Sequence, residues 1–397
     1  MNNTTPNGEY LGLIIDFNEL LGKTILKAEY FEGKDRILFD ILKTEYDKNK
    51  VLVLDNLKKY NKFDMEYYFK FYNTSLEPQK ERKFEILEQN IIEQYKKREL
   101  LKIVKEYKGN QEDFYKNIEK IKNIKYRENK NITIEKTNEI LGKKKTKIKL
   151  GYSDIDKKLK IFKNDFVVIA GGTGTGKTTF ALNLLSNMSK EYKCIYFNME
   201  MSEENLYQRI YAIETGLNID KLDDIENLQV NESKILFSKM SEIEERKITL
   251  INGSQTLENI QKEIILNSDK RELIVFLDHI GLIKCKGNSL YERMTEIAKE
   301  IRSLCLDYNC TIFGLCQLSR ESQKEEKQPK LQDLRDSGEI EQSARKVILL
   351  YNKDVKNESE IKNVDLIIAK NDAGNYGIKE FKFDTKKQKF MEVENGR

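Results

Sequence analysis

The sequence predicts an α/β domain on a mainly parallel, twisted sheet, preceded by a small all-α domain and a linker helix. Three observations carry this expectation. Beyond residue 150, short apolar runs alternate with helical stretches. Before residue 107, apolar residues recur mostly at helical spacing, and between the two lies a Lys- and Asn-rich stretch with little apolar periodicity. A length of 397 residues suits two domains better than one.

From Tyr10 to Tyr107, clusters such as Leu11, Ile14, Ile15 and Ile37, Leu38, Ile41, Leu42 follow the helical period, so residues 1–107 are expected to form a helical N-terminal domain. A longer helix is expected after Pro78, with Phe84, Leu87, Ile91, Tyr95, Leu101 and Val104 along one face, and further helix from Gln111 to Ile124. Residues 108–150 read as linker helix and tether. Their cluster Lys143, Lys144, Lys145, Lys147 and Lys149 is expected to be a solvated tether, with contact to nucleic acid as the alternative.

In residues 151–397 the apolar runs are Phe166 to Ala170, Cys194 to Phe197, Leu273 to Leu277, Thr311 to Cys316, Val347 to Leu350 and Leu366 to Ala369. Strands this short, separated by helices, build βαβ units whose parallel sheet is buried on both faces. The helix expected over Tyr291–Tyr308 carries the stripe Tyr291, Met294, Ile297, Ala298, Ile301, Leu304 and Cys305, which is the cover such a sheet needs.

Composition narrows the chemistry. Hydrophobic residues at 39% place the chain among folded proteins although 34% of it is charged. The net charge of +4 is a weak global field, so nucleic-acid binding has to come from local clusters. No two of the five cysteines have the spacing of a zinc or redox motif, and they are expected to be buried, reduced thiols. A single histidine, His279, removes most histidine-based catalysis. No run reaches the roughly 18 apolar residues of a membrane span and the first residues are polar, so no membrane contact and a cytoplasmic location are expected.

The most specific local signal is Gly171-Gly172-Thr173-Gly174-Thr175-Gly176-Lys177-Thr178, placed after an expected strand and before the helical run that opens at Thr179. Glycines let backbone N–H groups turn toward phosphates, the helix N-terminus adds positive potential, and Lys177 reaches the β- and γ-phosphates. Thr178 offers a hydroxyl to Mg²⁺. A carboxylate is then needed at a neighbouring strand end, where Asp278 closes Leu273 to Leu277. Glu200, just past the strand Cys194 to Asn198, is placed to activate water, and equally to start a helix. Gln317 ends a third strand, where its amide can bond a γ-phosphate or its water.

Four further strings, Gly151 to Asp156, Asn198 to Ser202, Gln317 to Arg320 and Asp333 to Gln342, give the whole second half a resemblance to the DnaB-type replicative DNA helicases. The last string is the most specific, because other RecA-like ATPases share the phosphate loop without it. The resemblance implies a RecA-like P-loop fold, ATP and Mg²⁺ as cofactors, and a homo-hexameric ring threaded by single-stranded DNA. In that scheme Lys177, Thr178 and Asp278 hold phosphate and metal, Glu200 activates water and Gln317 senses the γ-phosphate. DNA contacts would come from Lys284 and from the stretch containing Arg320, Lys324, Arg335, Asp336 and Gly338.

One position departs from the family. Where Lys, any residue, then Arg usually follow the strand Leu366 to Ala369 and reach a neighbouring subunit's γ-phosphate, this chain reads Lys370-Asn371-Asp372. Lys370 remains as a cation acting in trans, Lys379 is a second candidate, and restoring Arg at 372 is expected to raise turnover. The function expected is an ATP-dependent replicative helicase. The alternatives are a RecA- or RadA-like recombination or regulatory ATPase, and a catalytically weak scaffold recruiting a primase or helicase loader.

Overall fold

The computed structural model describes residues 5–71, 80–107, 111–124, 146–246, 248–268, 271–287, 289–318, 328–355 and 357–393. The chain divides into two compact units, Met1–Gly142 and Lys143–Arg397.

In the first unit the helices Pro6–Asp16, Gly33–Asn49 and Lys80–Lys105 enclose Tyr10, Phe31, Phe39, Leu42 and Phe84. Thr5 caps the first of them, its hydroxyl accepting from the Gly8 N–H at 3.2 Å. The long helix buries Phe84, Leu87, Ile91 and Val104, and leaves Tyr95 and Leu101 half-buried. Its Glu88 is fully buried and satisfied by the Tyr10 and Thr24 hydroxyls and the Ile25 N–H, at 3.1, 2.7 and 3.1 Å. The next helix, Gln111–Lys122, buries Phe114 and Ile118.

The second unit opens with an antiparallel ribbon of β1 (Lys147–Ile148) and β2 (Ile161–Phe162). That pairing buries Ile148 and Leu150 in the unit's core, although the sequence assigned them to the linker. A nine-stranded sheet follows, made of β3 (Phe166–Gly171), β4 (Lys193–Asn198), β5 (Ile248–Asn252), β6 (Leu273–Asp278), β7 (Cys310–Gln317), β8 (Lys346–Asn352), β9 (Ile361–Asn371), β10 (Gly377–Asp384) and β11 (Lys389–Glu392). Its order is β11-β10-β9-β8-β3-β7-β6-β4-β5. The strands from β8 to β5 run parallel, whereas β9, β10 and β11 add an antiparallel flank.

Alternation along β3 explains its all-apolar sequence. Val167 and Ile169 enter one core with Phe180, Tyr196 and Phe276, and Phe166, Val168 and Ala170 enter the other with Ile297, Ile301 and Leu304. The helix Lys177–Met188 covers the first face, and Leu257–Asn267 and Leu290–Asp307 cover the second. The expected stripe on Leu290–Asp307 needs one correction. Tyr291 is 59% exposed, because it sits in the helix's first turn, outside the buried row that begins at Met294. Four of the five cysteines are buried, Cys285 is half-buried, and all are free thiols.

Candidate nucleotide-binding site

Six parallel strands end at one edge of the sheet, and the register brings their last residues together. Gly171 pairs with Gln317 and Asn198 with Asp278. From Gly171 the chain turns through the glycine-rich loop into Lys177–Met188. A Cβ on Gly171 would lie 2.6 Å from the Thr175 hydroxyl and 3.0 Å from the Leu350 carbonyl, so no larger residue fits there. Gly176 caps the helix at φ +91°, a left-handed conformation that glycine adopts without strain, and its Cα faces the Phe390 ring.

The helix that follows the loop is held from behind by the β10–β11 hairpin. Asn183 donates to the Gln388 carbonyl at 2.9 Å and accepts from the Phe390 N–H at 3.1 Å, and the Thr179 hydroxyl donates to the Gln388 amide oxygen at 3.1 Å. Phe383 and Phe390 stack at 4.5 Å, and Phe180 meets Phe390 edge-on at 5.3 Å.

Lys177 curls over the loop, its Nζ donating to the Gly171 and Gly172 carbonyls at 2.9 and 2.8 Å. Burial pulls this ammonium below the usual lysine range, while Glu200 and Asp278 oppose the shift. Asp278 is almost wholly buried and accepts from the Tyr196 hydroxyl at 2.7 Å and from the Thr178 hydroxyl. Its carboxyl is pushed up by burial, against those two hydrogen bonds, and nearby Glu200 adds to the rise. An inward carboxylate beside a threonine hydroxyl is an oxygen donor set that suits Mg²⁺, which keeps several of its waters. Among the described residues no group of three metal-ligating side chains forms a closed cage.

Glu200 stands exposed on a turn that Asn198 fastens. The fully buried Asn198 amide accepts from the Met201 N–H at 3.1 Å and donates to the Met201 carbonyl and to Asn252, both at 2.9 Å. Ser202 then caps the helix Glu203–Thr215. Gln317 lies exposed at the end of β7, and the neighbouring Leu318 N–H donates to the Gly171 carbonyl at 3.3 Å.

Two residues that the sequence reading missed belong to this cluster. Tyr196, buried inside β4, is the donor that fixes Asp278. Arg209, on the helix Glu203–Thr215, donates from Nη1 to the Thr179 hydroxyl at 3.1 Å; burial lowers its pKa against Tyr196, Asp278 and Glu200. The string Asn198 to Ser202 that precedes this helix is the one local signal that could have directed attention to it.

Other expected residues lie elsewhere. Lys370 pairs with Val347 at the opposite end of the sheet, and its Nζ donates to the Glu341 carbonyl at 2.8 Å. Lys379 is no free cation: it is buried and donates to Asp154 and the Val393 carbonyl at 2.6 and 2.7 Å. Lys284 is exposed just after β6, and its N–H donates to the Gln255 carbonyl at 2.8 Å. Arg335 and Asp336 fall in the helical segment Leu331–Ser337, followed by the helix that opens at Gly338. Arg320 and Lys324 lie outside the described residues.

This fold and glycine-rich loop coincide with a known family: residues 147–392 match the DnaB-like helicase C terminal domain. The chain belongs to the DnaB-like helicases. It is 30% identical over 261 residues to a probable replicative DNA helicase of Trieres chinensis, covering 61% of this chain and 56% of that protein. The replicative DNA helicase DnaC of Bacillus subtilis (strain 168) is 30% identical over 260 residues, covering 63% and 57%. The chain thus spans just over half the length of these relatives. Among solved structures, an isolated ATPase domain superposes with a TM-score of 0.61 at 26% identity, over 66% of this chain and 97% of that one. A DnaB-like replicative helicase, solved with attention to its interactions with primase, shares the fold over 99% of this chain and 100% of that one, with a TM-score of 0.60 at 22% identity. Among the described residues no helix is long and apolar enough to cross a membrane.

Proposed function

We propose that this chain is an ATP-dependent replicative DNA helicase that moves on single-stranded DNA as a homo-hexameric ring. The observation that carries the reading is the meeting of Lys177, Thr178, Asp278 and Glu200 at one sheet edge of a DnaB-like domain.

Backbone N–H groups of Gly172 to Thr178 and the helix start at Lys177 bind the phosphates, and Lys177 moves from its loop carbonyls to the β- and γ-phosphates. Thr178 and Asp278 would hold Mg²⁺, which supplies charge neutralisation on the phosphates. Glu200 accepts the proton of a water whose oxygen attacks the γ-phosphorus. The bond from that phosphorus to the bridging oxygen breaks, its electron pair stays on the β-phosphate, and ADP and inorganic phosphate leave. Gln317, which pairs with Gly171, and Arg209, which donates to Thr179, contact the γ-phosphate. Lys284, Lys286, Arg320, Lys324, Arg335, Asp336 and Gly338 line the DNA path, where phosphate contacts demand no base reading and give steep salt dependence. Residues 1–107 serve as a collar that offers surfaces to a primase and a loader.

The test measures ATP hydrolysis with and without single-stranded DNA, strand separation on a forked duplex, and subunit number by native mass. DNA-stimulated hydrolysis with unwinding by hexamers is expected. Rings without turnover would favour a scaffold, and filaments without unwinding a recombination ATPase.

A further inference from the structure

At the sheet edge opposite the glycine-rich loop, β8 begins next to an unusual cluster of charges. Arg345, the residue before β8, places its Nε 2.8 Å from Asp372 and 4.0 Å from Asp165. Its side chain is 46% exposed, and among the described residues its two terminal nitrogens have no partner. Two other cations of this edge are committed. Lys346 is buried near Asp165, and Lys370 donates to helix carbonyls.

Arg345 cannot serve its own nucleotide site. Gly171 pairs with Leu350, five residues along the strand, which is about 16 Å at about 3.3 Å per residue. A phosphate meeting this guanidinium therefore belongs to another copy of the chain. Asp372 occupies Nε and leaves the terminal nitrogens as a fork, the geometry that grips two phosphate oxygens. Its own charge is compensated by Arg345, so it presents no bare anion to a phosphate.

We propose that Arg345, oriented by Asp372, is the cation that one copy extends to the γ-phosphate bound by the next copy. This rests on the ring-ATPase reading and assigns the trans cation that the sequence lacks at position 372. As the bond between the γ-phosphorus and the bridging oxygen breaks, negative charge grows on the oxygens that the fork holds. Asp372 is then a positioning residue and Arg345 a catalytic one.

The experiment measures DNA-stimulated ATP hydrolysis by full-length rings, with subunit number and thermal melting followed in parallel. Arg345→Ala is expected to cut turnover by about 100-fold or more at unchanged subunit number. Mixing it with Lys177→Ala is decisive. One variant retains the loop and the other retains Arg345, so random assembly completes about one boundary in four and turnover reappears. Arg345→Lys, which keeps the charge beside Asp372 and loses the fork, gives about a 10-fold reduction and covers the case in which the alanine variant fails to assemble. Asp372→Arg sets like charges together and lowers turnover, reversing the expectation drawn from sequence alone. Rings of Arg345→Ala or Arg345→Lys at the wild-type rate, no recovery on mixing, or faster hydrolysis by Asp372→Arg would each overturn the inference alone. A wild-type chain that does not hydrolyse ATP would overturn the helicase reading and this inference together.

Discussion

The two ends of the central sheet treat charge in opposite ways. Where β3, β4, β6 and β7 finish, Lys177, Arg209, Asp278 and Glu200 converge, and burial works against the charged forms of Lys177, Arg209 and Asp278. Hydroxyls and carbonyls hold these three, and among the described residues no ion pair satisfies them. At the other end Arg345, Asp372 and Asp165 pair directly, and Lys370 rests on helix carbonyls. Polar groups arranged at a cost in burial mark a ligand site, whereas compensated charges on an edge keep a surface ready for contact.

Substitutions at the first end sharpen this contrast, beginning with the largest effect. Lys177→Ala is expected to reduce ATP turnover to background, at least about 10³-fold, because the proposed mechanism relies on this ammonium to neutralise the β- and γ-phosphates. Glu200→Gln should bind nucleotide normally yet turn over about 10²- to 10⁴-fold more slowly; normal turnover in a coupled phosphate-release assay would remove its water-activating role. Arg209→Ala should lose about 10²-fold in kcat with the subunit number intact, and a change confined to KM would make it a binding residue only. The smallest change is expected from Tyr196→Phe. Asp278 loses one donor, costing about 1–3 kcal/mol, which a thermal melt and a raised Mg²⁺ requirement would register.

Much of this was legible in the chain. Continuous apolar runs marked six strands of the sheet, because a strand buried on both faces has no polar alternation to blur it. Three strands of the sheet escaped because they are not buried on both faces: β10, in which Lys379, Phe381 and Phe383 point inward between exposed residues, β11 beside it, in which Phe390 alone is buried, and β5, half-buried at the far edge. Site residues within a local string, such as Lys177 and Thr178, could be read directly. Arg209 could not, since its partner Thr179 lies thirty residues earlier and only the packing of two helices joins them. For the same reason Lys379 looked like a free cation until its partner Asp154, 225 residues away, was in view. Asp372 was legible only as a departure from the family, because its partner Arg345 lies on a neighbouring element.

The hold of Gln388 and Phe390 on the helix after the glycine-rich loop also sets an order of events during synthesis. Those contacts close over 205 to 209 positions, so the loop emerges long before the residues that brace it exist. On the proposed function, a growing chain is therefore expected to bind nucleotide only once the β10–β11 hairpin has folded. Chains cut after Asp384 are expected to show no binding of a fluorescent ATP analogue, and retained affinity would prove the brace dispensable. On the proposed function, ATP would bind only the braced domain and stabilise it by mass action, so a nucleotide pool would favour braced copies over partial ones.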